Sequence, residues 1–333
     1  MKVSWRGLIG LAVTILLLWW AFRDTQWSKM AAAMRGANVG LMAIAVAIGT
    51  FLFVLRALRW RPILHPVAPN MPFGPLWRAT TIGMMANNLL PARAGELVRA
   101  FVLSRETAVP FSAAFASLVV DRVFDAVIVI LLTLVAMFDS AFPAGTLIAG
   151  RPASNYAGSG VFGLVVVAAA LYAIVFFPDR LIRLYEVFAR RVAPRFEARG
   201  RQLLRSFADG LSVLRHPLRF LQVFLWALAL WVLQAVAFWI GFRAVGIVVP
   251  FSASLFVQGL IVLWVSVPST PGYFGPFELA SVAGLRLYGV DENLAGAWAL
   301  SYHILSLLPI TVIGLYYAAR SGLSLGALRD VRK

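Results

Sequence analysis

Apolar runs of membrane-crossing length alternate with short basic stretches along this 333-residue chain. Runs over 7–22, 39–55, 111–138, 161–177, 220–241 and 294–318 approach or exceed the roughly 17–25 residues a helix needs to cross about 30 Å of hydrocarbon. The first run ends in Trp19-Trp20, an interfacial pair, and no small-residue cleavage site follows closely. It reads as an uncleaved first span rather than a leader. A short polar segment over 23–38 follows. Arg56, Arg59 and Arg61 close the second span and place its end on the cytoplasmic side.

Two further regions are apolar but interrupted. Residues 73–90 carry Arg78, Thr80, Thr81, Asn87 and Asn88, break at Pro91, and resume as an amphipathic stretch over 95–103. Residues 251–267 break at 268–272 and resume over 274–287. Each half is too short or too polar to cross alone, so each region predicts a broken-helix hairpin that enters and leaves on one side. Pro72 precedes Pro91 by 19 positions, and Pro250 precedes Pro268 by 18. One hairpin enters from inside and the other from outside, which suggests an inverted repeat. Val109-Pro110-Phe111 carries the same Pro-Phe start ahead of a plain span.

The expected architecture is therefore an all-α integral membrane domain over 1–333, with about six full spans and two re-entrant hairpins. Its first half is 1–177, with a hairpin at 72–106, and its second half is 220–333, with a hairpin at 250–288. Between them, 178–219 is Arg-rich and amphipathic and suits the inner leaflet.

Composition excludes the soluble alternatives. Apolar residues make up 61% and charged residues 13%, where a soluble protein has about 25% charged. A net charge of +16 raises the question of nucleic acid, but the bases lie between apolar runs and no such partner is expected. Six bases (Arg23, Lys29, Arg35, Arg151, Arg243, Arg286) fall outside and the other 24 inside, which predicts cytoplasmic termini in a bacterial or archaeal cytoplasmic membrane. Cysteine is absent, and His65, His216 and His303 show no ligand spacing. Gly-rich nucleotide loops, HExxH and a nucleophile elbow are missing, so no cofactor or metal is expected.

The informative charges are those inside apolar segments, where an ionised group costs about 2.5–3.5 kcal/mol at a helix centre. They are Arg93, Glu96, Arg99, Asp121, Arg122, Asp125 and Glu278. Arg93, Glu96 and Arg99 are spaced by three, and Asp121 and Asp125 by four, so each set shares a helix face. These charges can neutralise one another as structural ion pairs. They can also form a ligand site, because a helix start after Pro91 attracts anions and Arg93 adds a fork for phosphate. Asn87 and Asn88 are placed to cap or to bond a headgroup. Gly272 and Gly275 let backbone approach a ligand beside Tyr273. His303 reads as a lone structural histidine.

The run Asn87-Asn88-Leu89-Leu90-Pro91-Ala92-Arg93-Ala94-Gly95-Glu96 resembles the first signature of the flippase-like membrane domain of lysylphosphatidylglycerol synthases. Asp121-Arg122-Val123-Phe124-Asp125 resembles the second. Pro271-Gly272-Tyr273-Phe274-Gly275-Pro276-Phe277-Glu278 resembles the third, usually PGG-x-G-x-x-E, with Tyr273 in place of its second glycine. The resemblance implies a lipid-handling domain with its headgroup site at the hairpin tips. The expected form is stand-alone, without the soluble aminoacyl-transfer domain. The leading expectation is a flippase or transporter of an anionic phospholipid or polyprenyl-phosphate-linked lipid. The alternatives are an intramembrane lipid or glycosyl-phosphate transferase, and a non-catalytic partner that presents lipid to a lipid-modifying enzyme.

Overall fold

The computed structural model describes residues 5–90, 94–143, 145, 147–148, 151–152, 158, 161–163, 165–166, 169, 177–192, 197–198, 200–202, 204–205, 216–266 and 271–322. It is helical apart from a two-residue ribbon, β1 (Leu147–Ile148) with β2 (Arg151–Pro152). In chain order the helices are α1 (Trp5–Phe22), α2 (Trp27–Arg35), α3 (Val39–Leu64), α4 (Phe73–Leu89), α5 (Gly95–Glu106), α6 (Phe111–Phe138), α7 (Pro178–Val192), α8 (Pro217–Ala244), α9 (Phe251–Val265), α10 (Pro276–Leu287) and α11 (Glu292–Arg320).

Among the described residues, α3, α8 and α11 are long and apolar enough to cross a membrane. At 28 residues α6 is long enough, but every 18-residue stretch of it contains Asp121, Arg122 and Asp125. Leu305, Leu308, Val312 and Leu315 form an exposed stripe at helical spacing on α11. In water such a stripe is a liability; against lipid it is the expected outer face. The run expected over 161–177 falls largely outside the described residues.

Local signals explain most helix starts. Asn38 caps α3 by accepting the Leu41 N–H at 3.0 Å, and Asp291 caps α11 through the Asn293 and Leu294 N–H groups. Pro72, Pro110 and Pro250 are the extended N-cap residues of α4, α6 and α9. The shared Pro-Phe therefore marks helix starts in general, and the stronger likeness between the two broken regions is their form. Helices of 17 and 12 residues flank the first break, and helices of 15 and 12 flank the second. At the end of α6, Asp139 accepts the Ala141 N–H at 2.9 Å, which holds its carboxyl below the ordinary range.

Two expectations change. The polar segment 23–38 contains α2, tied to α11 by the Gln26 N–H on the Asn293 side-chain oxygen at 2.7 Å. Helix α3 continues to Leu64 instead of closing at residue 55. Arginine is a good helix former, and Arg56 and Arg59 have partners inside the protein, so their charge ends nothing.

Packing brings the breaks to the centre. Helix α3 lies along α8, α4 packs on α5 and α11, α9 on α6 and α10, and α10 on α1 and α11. Glycines set the closest approach. A Cβ on Gly95 would overlap the Gly83 carbonyl and the Asn87 side chain, and one on Gly314 would overlap Met85 of α4. Gly95→Val is therefore expected to force α5 off α4 and lower the melting temperature of the detergent-purified protein. Gly163→Ala, at a position with nothing close by among the described residues, is expected to leave the temperature unchanged or slightly raised. Equal melting of the two variants would refute the close packing.

Candidate functional site

Asp121 and Asp125 stand one turn apart on α6 and face arginines from two other helices. Asp121 Oδ1 is 2.7 Å from Arg59 Nη2, and Asp121 Oδ2 is 3.3 Å from Arg122 Nη2 and 3.6 Å from Arg99 Nη1. Asp125 Oδ1 accepts from Arg59 Nη1 at 2.7 Å and from the Trp231 indole N–H at 2.8 Å. Asp125 Oδ2 lies 3.2 Å from Arg56 and 3.3 Å from Arg122. All four carboxylate oxygens thus face arginine, and Arg59 bridges both acids with 0% of its side chain exposed. Around them, the Arg99 guanidinium lies 4.1 Å over the Trp60 ring, and the Trp60 N–H bonds Ser117 at 2.7 Å.

This network is not balanced. Among the described residues, Arg56, Arg59, Arg99 and Arg122 face Glu96, Asp121 and Asp125, four positive charges against three negative. None of the three side-chain nitrogens of Arg99 makes a hydrogen bond among the described residues, and neither does Glu96 Oε2, although Glu96 Oε1 is 3.6 Å from Arg122. Arg93 lies outside the described residues.

The second break has its own chemistry. Glu278, in the first turn of α10, accepts the Gly275 N–H at 2.7 Å through Oε2 and lies 2.6 Å from His303 Nδ1 through Oε1. Phe274 and Phe277 flank the imidazole, with ring centroids at 4.7 and 4.2 Å. The turn Pro271–Tyr273 packs on α4. Gly272 and Gly275 have φ of 72° and 95°, and Tyr273 sits at φ 62°. A non-glycine residue in that left-handed region costs about 1–2 kcal/mol, and here it occupies the place where the related signature has glycine.

A cavity of about 250 Å³ lies between the breaks. Its polar lining includes Arg56, Asn87, Asn88, Gln234, Gln258, Tyr273, Tyr302 and His303, set among Leu52, Phe53, Phe238, Ile261, Phe277 and other apolar residues. Of the residues singled out from sequence, Asn87, Asn88 and Tyr273 line this cavity. Glu96, Arg99, Asp121, Arg122 and Asp125 form the ion network beside it, and Gly272, Gly275 and Glu278 shape the second turn. Asn87 also bridges the first break, its side-chain oxygen accepting the Gly95 N–H at 2.8 Å. Asn88 donates to Thr311 on α11 at 2.8 Å.

Sequence reasoning missed Arg56, Arg59, Trp231 and the role of His303. Arg56 and Arg59 looked like loop charges because they end an apolar run, yet their i,i+3 spacing complements the i,i+4 pair Asp121 and Asp125. His303 is not alone, since it partners Glu278. Among the described residues no group of three or more His, Cys, Asp or Glu side chains could hold a metal ion.

Removing one partner of a buried ion pair typically costs about 3–5 kcal/mol. Arg59→Met should therefore lower the melting temperature sharply, whereas Arg61→Met, exposed on the same helix, should stay within about 0.5 kcal/mol. Similar melting for both would remove the network from any structural role. Tyr273→Gly should raise the melting temperature by relieving the left-handed strain; a fall would mean that the lost ring contacts outweigh it.

Relatives of known sequence match along the chain. Two UPF0104 membrane proteins of Methanothermobacter thermautotrophicus and Pyrococcus horikoshii are 25% and 22% identical, covering 87% and 92% of this chain and 86% and 93% of their own lengths. A protein named glycosyltransferase AglD, of Haloferax volcanii, is 35% identical over 116 residues, which is 35% of this chain and only 19% of that protein. Residues 7–314 match the lysylphosphatidylglycerol synthase TM region, and the chain belongs to that membrane-protein family.

Proposed function

We propose that this protein moves an anionic lipid between the leaflets of a bacterial or archaeal cytoplasmic membrane. The observation that carries this reading is shared membership of two structures. Arg56 and Trp231 line the largely apolar cavity and also hold Asp125 in a buried network that has, among the described residues, one arginine more than it has acids. A cavity wall that is apolar with one cationic edge suits a lipid phosphate that must leave water. Arg99 and Arg122 would add positive potential behind that edge, and Asn88 and Tyr273 would contact the headgroup.

On this reading the chain is a single membrane domain with six spans, both termini cytoplasmic, and α4–α5 and α9–α10 as hairpins entering from opposite sides. The matched half-helix lengths and the packing of the second turn on α4 support the arrangement. Alternating access would come from one hairpin unit rocking against the other. Helix α7 would lie on the inner leaflet, with its arginines toward lipid phosphate and its exposed Leu184, Val187 and Phe188 inserted.

A second reading has one specific support, the matched segment in a protein named a glycosyltransferase. The domain would then present lipid to a lipid-modifying enzyme. An intramembrane transferase is less well supported, because arginines occupy both carboxylates of the Asp121–Asp125 pair.

Reconstitution separates these readings. Vesicles with the purified protein and a fluorescent anionic phospholipid should exchange the label between leaflets faster than protein-free vesicles. Arg56→Gln, with melting checked, should slow this at least tenfold. If no anionic lipid is accelerated, transport is wrong, and retained lipid binding would leave the presenting role.

A further inference from the structure

The cavity has a side that a phosphate does not need. Among the described residues its lining holds one arginine, Arg56, and no carboxylate. Gln234, Gln258 and Tyr302, from α8, α9 and α11, contribute neutral polar groups. Gln258 is 1% exposed, and neither its amide oxygen nor its amide nitrogen makes a hydrogen bond among the described residues. Helix α9 is otherwise almost wholly apolar. An amide left unpaired inside a membrane-family domain is costly, and a ligand that satisfies it recovers that cost. In the same lining, the Gln234 amide donates to the Tyr302 hydroxyl at 3.3 Å, so the hydroxyl accepts one bond and keeps its own proton to give.

We propose that Gln258, with Gln234 and Tyr302, forms a second subsite that reads neutral hydroxyl or amide groups on a headgroup whose phosphate lies at Arg56. The inference rests on the lipid-handling reading of the cavity and adds its specificity. Amides offer both a donor and an acceptor, which matches hydroxyls and amides and does nothing particular for a second phosphate. Size agrees. At about 250 Å³ the cavity falls below the roughly 300–1,000 Å³ of drug-sized sites, so it holds a headgroup and leaves the tails outside. The substrate class is a phosphodiester lipid with a polyhydroxylated or amide-bearing headgroup.

The test compares two lipids with the same tails and the same single negative charge, phosphatidylinositol and phosphatidylethanol. Binding to the full chain in detergent is measured for the wild type, Gln258→Leu and Tyr302→Phe, with melting recorded for each. The wild type is expected to bind phosphatidylinositol at least tenfold more tightly, and each variant to bring that ratio close to one. If Gln258→Leu fails to fold, Tyr302→Phe carries the comparison. Equal binding of the two lipids by the wild type overturns the subsite and leaves the lipid site standing. A preference that survives in the folded variants also overturns it. Binding of neither lipid overturns the lipid site itself.

Discussion

An ionised carboxylate in the middle of an apolar helix must find its counter-charge inside the protein, because lipid offers none and the low local dielectric makes an unpaired charge costly. Asp121 and Asp125 impose that condition on α6. The answer is Arg59, which reaches across from α3 to both acids, with Arg56 one turn earlier and Arg99 from α5. Trp231 brings α8 into the same arrangement. Four helices are thus held in register by one pair of acids, and the face of α6 that carries them turns inward. Among the described residues the arginines exceed the acids by one, and Arg99 is the one whose guanidinium makes no hydrogen bond there.

Broken helices pose a different problem, since each restart leaves N–H groups without partners. The two breaks solve it with different residues. At the first, Asn87 from the preceding half-helix takes the Gly95 N–H. At the second, Glu278 from the following half-helix takes the Gly275 N–H. Glu96 and Glu278 hold corresponding places in their signatures but do different work. Because Asn87 already serves the first break, Glu96 is free to face Arg122, while Glu278 spends one oxygen on the turn and the other on His303.

Element by element, the apolar runs of α3, α8 and α11 and the interruptions between α4 and α5 and between α9 and α10 were legible from hydropathy and proline alone. Helix α4 ends at Leu89, just before Pro91, as expected. Helix α2 was hidden because its nine residues are short and mixed in polarity, and it is held by packing on α11. The acids of the site were legible because an acid in an apolar run is conspicuous. Arg56 and Arg59 were not, because a base at the end of an apolar run looks the same whether it meets water or a partner, and only tertiary contact tells the two apart. His303 was obscure for a related reason. A single imidazole has no pattern, and its partner is 25 residues away on another helix.

Tyr273 joins these arguments. A glycine there would adopt φ near 60° without strain, and the related signature has glycine. A tyrosine in that conformation persists only where its surroundings over-determine it. The surroundings here are the cavity wall, since Tyr273 lines it, and the Gly272 backbone beside it comes close to the end of α4. The side chain therefore narrows the space between the two breaks at the expense of backbone comfort. A smaller cavity follows from that choice, because a glycine turn would remove the Tyr273 ring from its lining. The departure from the signature thus acts on the volume and lining of the cavity.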